Sequence, residues 1–140
     1  MGVRKRLELA RVLVVDDELS SRLTLQTLLQ AGGYSVDVAG SAAEAFSKLD
    51  HGQYELVLSE AEMESPRAGL RVLSYARVKS YKPATALVTA YKEAKASRHP
   101  VGDEQQVSVN AENVSALLGR VADLIGMRAQ RRALRLAQSL

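Results

Sequence analysis

The stretch "RVLVVDDE", Arg11 to Glu18, decides the fold. Its apolar run is short, continuous and rich in β-branched residues, the pattern of a parallel strand covered on both faces. Asp16 and Asp17 end the run, so the strand carries two adjacent carboxylates to its carboxyl end. Just beyond Glu18, Leu19, Leu23, Leu25, Leu28 and Leu29 recur among polar residues, which predicts a helix. Gly32 and Gly33 follow where a helix end favours positive φ.

The alternation continues along the chain. "YSVDVAG", from Tyr34, has a strand period, and Ser41 and Glu44 in "SAAE" are spaced for a capping box at a helix start. Ala45, Phe46 and Leu49 form that helix's inward stripe. "YELVLS", from Tyr54, predicts a third strand running into Glu60, Glu62 and Glu64, the last of these solvated. "GLRVLSYARVKSY" predicts a helix that Pro83 cannot continue, and "ATALVTAY" a fourth strand. Lys92 to Glu104 has no apolar stripe and contains Pro100 and Gly102, so any helix there is short or frayed. "QQVSV" predicts the fifth strand. Val114, Leu117, Leu118, Val121 and Ile125 predict a last helix, interrupted at Gly126. Five alternations with short connections require right-handed crossovers onto a parallel sheet, giving a doubly wound α/β fold in three α/β/α layers.

At 140 residues the chain fits one domain. With 46% hydrophobic and 25% charged residues it has globular composition, and its few aromatics imply an aliphatic core. The absence of cysteine excludes disulfides, thiol nucleophiles and Cys-ligated metals. The amino-terminal apolar run, broken by Glu8 and Arg11, lacks the core of a signal peptide, and no segment approaches the ~20 apolar residues of a membrane span. A cytoplasmic protein is the expectation. The net charge of +3 is uneven. Arg4, Lys5 and Arg6 lie in a basic segment, residues 1–10, and Arg128, Arg131, Arg132 and Arg135 in an arginine-rich helical extension, residues 127–140. Solvated helix faces account for both clusters more simply than phosphate binding does.

Ligands of open parallel sheets bind beyond the carboxyl ends of the strands. The residues there are Asp16, Asp17, Glu60, Thr89 and Asn110. Adjacent acids repel unless a cation or hydrogen bonds offset them, and carboxylates clustered with waters suit Mg²⁺. The plainer reading has the two aspartates capping the first helix, Thr89 bonding a carbonyl and Asn110 serving as a helix N-cap. His51 and His99 fall in turns without metal or triad spacing.

Taken together, "VLVVDDE", "GGYSVDVAGSAAEAF", "YELVLSEAEM" and "ALVTAY" resemble the receiver domain of two-component response regulators over residues 11–126. The resemblance implies a flavodoxin-like fold with a five-stranded sheet, and membership of a phosphorelay. It further implies that Asp16, Asp17 and the Glu62 backbone carbonyl hold Mg²⁺, that Glu60 stands where the phosphoacceptor aspartate would, and that Thr89 is the switch hydroxyl. Asn110 stands in place of the family's lysine, and Lys92 is the nearest substitute for that charge.

These departures shape the expected function. Glu60 extends about 1 Å beyond an aspartate, a displacement that can cost about 100-fold in rate. Asn110 cannot neutralise phosphoryl oxygens, which catalysis of this kind relies on. A degenerate pseudo-receiver is expected: not an enzyme, needing no cofactor though Mg²⁺ can bind, and acting through a protein partner such as a histidine kinase, an output protein or a second copy. Two alternatives remain: a competent Mg²⁺-dependent phosphoacceptor using Glu60 or another residue, and binding of nucleic acid or an acidic partner through the basic tail. Nucleic acid is the least supported partner, since no aromatic residues interleave with the arginines.

Overall fold

In the computed structural model, residues 9–90, 104–110 and 112–139 are described. Five strands, β1 (Arg11–Val15), β2 (Ser35–Ala39), β3 (Leu56–Glu60), β4 (Ala84–Ala90) and β5 (Gln106–Val109), form one parallel sheet in the order β2-β1-β3-β4-β5. The described helices are α1 (Leu19–Ala31), α2 (Ala42–His51), α3 (Ala68–Arg77) and α4 (Val114–Gln138). The expected doubly wound sandwich is present. The basic cluster at Arg4, Lys5 and Arg6, the segment from Lys92 to 103 with His99, and Leu140 lie outside the described residues.

Strand periodicity divides the core. Val12, Val14, Leu56, Leu58, Ala86 and Val107 pack on one face against Leu25 and Leu29 of α1 and Leu117, Val121 and Leu124 of α4. Leu13, Val15, Val57 and Leu87 pack on the other, against Ala45 and Leu49 of α2 and Val72, Leu73 and Ala76 of α3. Burying one such leucine contributes about 1.5–3 kcal/mol, so both faces are strongly specified.

Several local expectations need correction. Leu19 and Leu23 of α1 are 59% and 49% exposed, because the face that points at the sheet is the one carrying Leu25 and Leu29, with Leu28 partly buried beside them. In α4 it is Leu124 that completes the fully buried stripe, with Ile125 only partly buried. Gly126 does not interrupt α4, which runs unbroken into the extension; a single helical glycine costs about 1 kcal/mol, and docking of the following turn offsets it. His51 is the last residue of α2, its Nδ1 2.7 Å from the Ser47 carbonyl.

Two ends follow the sequence signals closely. Gly33 has φ +100, and the amides of Gly33 and Tyr34 donate to the carbonyls of Gln30 and Leu29, the Schellman closure of α1. At α2 the Ser41 hydroxyl accepts from the Glu44 amide at 3.1 Å, while the Glu44 carboxylate reaches one residue further back, to the Gly40 amide.

Candidate functional site: an acidic cavity at the carboxyl edge

The central strands carry the acids. Val15 pairs with Ser59, so Asp16 and Glu60 lie one rung further on, beside each other at the carboxyl edge. Glu60 continues the face of Leu56 and Leu58 and stands opposite Val88 on β4. It opens, half-buried, into a cavity of about 450 Å³ lined by Asp16, Asp17, Glu18, Glu60 and Glu62, with Ser20, Ser21 and Thr24 of α1 and an apolar base that includes Val88 and Val109. Among the described residues five carboxylates and no cation line this space.

Asp16 is the buried member, 7% exposed. Its Oδ1 accepts from the Glu18 amide at 3.0 Å, and its carbonyl accepts from Arg22 Nη1 at 2.8 Å, which ties the β1–α1 loop to the helix it precedes. Burial pushes the Asp16 carboxyl above its ordinary value; the Glu18 amide opposes this, the Asp17 and Glu18 charges add to it, and Arg22 opposes it. The plain capping role is therefore partly present, although the N-cap position itself is Glu18, whose side chain makes no cap bond.

The loop after β3 is fixed by Gly69. A Cβ there would lie 1.8 Å from the Glu60 carbonyl oxygen and 2.8 Å from Ala61 Cα, so only glycine lets α3 approach the strand end this closely. The Gly69 amide donates to the Ala61 carbonyl at 3.0 Å, and Met63 packs partly into the core below α2 and α3. Sequence reading missed Gly69, whose signal was its place at the start of an apolar helix. It also left Glu64 as a solvated acid, whereas Oε1 of Glu64 accepts from the Ala42 amide at 2.9 Å at the start of α2. An amide left over by the first helical turn recruits the nearest carboxylate.

The other residues named from the sequence do not all converge. Thr89 is half-buried, one residue past Val88 and opposite Ser108, and does not line the cavity. Asn110 is also outside the lining. It is not the N-cap of α4: Asn113 caps that helix by accepting from the Ala116 amide at 3.1 Å. Asn110 Oδ1 instead accepts from the Glu112 amide at 2.9 Å, an Asx turn three residues earlier that aims the chain into the helix.

As a cation site the cavity offers oxygen donors only, which suits a hard ion such as Mg²⁺. A cation beside Asp16 would relieve the cost of its buried charge. Among the described residues no three acidic or histidine side chains converge closely enough to hold a metal by themselves, so waters or a backbone carbonyl would have to complete the ligand set.

Comparison with known proteins agrees with this geometry. The family model described as response regulator receiver domain matches residues 12–102. The transcriptional regulatory protein ZraR of Escherichia coli (strain K12) is 34% identical over 82 residues, 57% of this chain and 18% of ZraR. The transcriptional regulatory protein DltR of Streptococcus agalactiae is 42% identical over 67 residues, 48% of this chain and 30% of DltR. The chain thus spans less than a third of the length of these relatives. Among solved structures, the response regulator TrrA of Thermotoga maritima, in complex with Mg(2+)-BeF, is 28% identical with a TM-score of 0.63, covering 84% of this chain and 99% of that one. A receiver-domain protein of Clostridium thermocellum has a TM-score of 0.70 at 18% identity, over 87% of this chain and 98% of that one, and shows the same fold.

Proposed function

This chain belongs to the response-regulator receiver-domain family, and from that premise we propose that it is a pseudo-receiver: a cytoplasmic two-component signalling module that works through a protein partner without a phosphorylation cycle. The observation that carries this reading is the charge of the cavity. By the family resemblance Glu60 stands at the phosphoacceptor position, and it lines the cavity together with the carboxylates of Asp16, Asp17, Glu18 and Glu62. An acyl phosphate on Glu60 would carry nearly two negative charges where the carboxylate carried one, adding about one more to that field. Phosphoryl transfer depends on positioning and charge neutralisation, and the longer Glu60 and the neutral Asn110 weaken both.

Mg²⁺, when bound, would be held by the carboxylates of Asp16 and Asp17 with the Glu62 backbone carbonyl, and would neutralise part of the cavity's charge. In this reading the chain is not an enzyme and the ion is not required for partner binding. Thr89 keeps the switch position without a phosphoryl group to bond. The partner is a histidine kinase or an output protein of the pathway.

Incubation with acetyl phosphate and Mg²⁺, followed by intact-mass measurement, tests the proposal. An unmodified chain is the expected result. A stoichiometric, base-labile phosphoryl adduct that is lost in Glu60→Gln would overturn it and restore a competent phosphoacceptor.

A further inference from the structure

Two side chains that stay out of the acidic cavity brace its walls against one shared loop. Asp16 is held at both backbone groups: its amide donates to the Ala39 carbonyl of β2 at 3.0 Å, and its carbonyl accepts from Arg22 Nη1 at 2.8 Å. The same guanidinium rests against the β2–α2 loop. A Cβ on Gly40 would stand 3.2 Å from Nη1, so glycine there leaves the guanidinium its place. The loop itself is set locally, with the Gly40 amide donating to Glu44 Oε2 at 3.1 Å and the Ser41 hydroxyl capping α2.

The far side of that loop meets the β3–α3 loop. The Ala42 amide donates to Glu64 Oε1 at 2.9 Å. Between Glu62 and Glu64, Met63 packs partly into the core, and its amide donates to the Ser65 carbonyl at 3.2 Å. The Glu62 carbonyl therefore sits on a short segment fixed by the end of β3 on one side and by Glu64 on the other. Neither Arg22 nor Glu64 lines the cavity. Gly40 to Ala42 form a strut between them: Arg22 is wedged between this strut and the Asp16 carbonyl, and Glu64 ties it to the segment that carries Glu62.

Resting on the Mg²⁺ site described above, we propose that Arg22 and Glu64 are positioning residues for a divalent cation at this edge, holding Asp16 and the Glu62 carbonyl in fixed relation through the β2–α2 loop. Mg²⁺ tolerates little deviation from octahedral ligands at about 2.0–2.1 Å, and losing a group that orients the ligands typically costs about 10–100-fold in affinity. Position and charge make opposite predictions at Arg22. Its positive charge repels a cation, so on charge alone its removal strengthens binding, whereas removal of a brace weakens it. At Glu64 the two are separated by chemistry. Glutamine loses the charge and keeps an oxygen that can accept from the Ala42 amide; alanine loses both.

The test is a Mg²⁺ titration of the full chain at constant ionic strength, read from the ¹H–¹⁵N shifts of the Asp17 and Met63 amides. Spectral dispersion and thermal melting report that each variant is folded. The parent should show saturable shifts. Arg22→Met and Glu64→Ala should each weaken binding about tenfold, and Glu64→Gln should stay within about twofold of the parent. Binding by Arg22→Met as tight as the parent's, or tighter, would overturn the proposal. So would Glu64→Gln binding as weakly as Glu64→Ala, since charge would then account for the loss. The Glu64 pair decides the matter if Arg22→Met does not fold, because the Glu64 side chain is exposed. Parent shifts that never saturate would remove the Mg²⁺ site and the proposal with it. A parent that binds, beside variants that match it, would leave the site standing and remove only the positioning role.

Discussion

Replacing Arg128 with methionine isolates what the buried arginine does for the fold. Methionine keeps much of the aliphatic length and removes both donors. The Tyr81 carbonyl is buried and would lose its 2.7 Å partner; Arg132 Nη1, at 3.5 Å, is a poor replacement. The Lys82 carbonyl is only partly buried and can be rehydrated. A hydrogen bond to a charged group contributes about 1.5–3 kcal/mol net, and a stranded buried carbonyl costs about 1–3 kcal/mol. Part of this is offset because the variant no longer buries a guanidinium, which leaves an expected loss of about 3 kcal/mol. Lys82 has φ 44 in the turn that these bonds hold, so nothing intrinsic to its backbone favours the turn once they are gone. With an unfolding entropy of about 2.1 cal/mol/K per residue, the melting temperature should fall by about 10 °C. Urea unfolding followed at 222 nm measures the loss directly, with Arg128→Lys expected to fall between parent and methionine variant and Arg135→Met to match the parent. A methionine variant within about 0.5 kcal/mol of the parent, the range of ordinary surface substitutions, would refute the reasoning.

Other predictions concern the acidic edge and the helix ends. Gly69→Ala should cost about 3 kcal/mol or more, because its Cβ would overlap the Glu60 carbonyl; a melt unchanged from the parent would contradict the close approach. Asp16 has its pKa raised in the fold, so the folded state holds the proton more tightly than the unfolded one. Stability should fall as pH rises from the ordinary aspartate value through the raised one, and stay lowered at neutral pH. Asp16→Asn, which keeps an oxygen for the Glu18 amide, should therefore melt higher than the parent at pH 7 but not at pH 3, and added Mg²⁺ should narrow the difference at pH 7. Asn113→Ala should cost about 1 kcal/mol as a lost helix cap and Asn110→Ala less, a ranking that chemical denaturation can reverse or uphold. Ser41→Ala should likewise cost about 1 kcal/mol.

The order of elements was readable because each depends on neighbours in sequence. "RVLVV" and "YELVLS" announce buried strands by being apolar on both faces, and Gly33 and Ser41 mark helix ends through backbone chemistry that acts within a few residues. The acids at the strand ends were readable for the same reason, since a parallel sheet sends the residue after each strand to one edge. Asp16, Asp17, Glu60 and Glu62 do meet there in one cavity, whereas Thr89 and Asn110 lie outside its lining, because the side-chain direction at a strand end depends on register.

What only the tertiary structure decided are matters of contact between distant segments. Glu64 meets α2 across 22 residues, and Gly69 meets β3 through a backbone approach that no local pattern encodes. Arg128 reads as one more charge in a basic tail until the α3–β4 turn, 46 residues earlier, presents two carbonyls to it. The sequence by itself determined a receiver-like sheet with acids at one edge, since periodicity and strand ends are local properties. Where the arginines of α4 point was decided by packing, because a helix's inward face exists only once there is a domain for it to face.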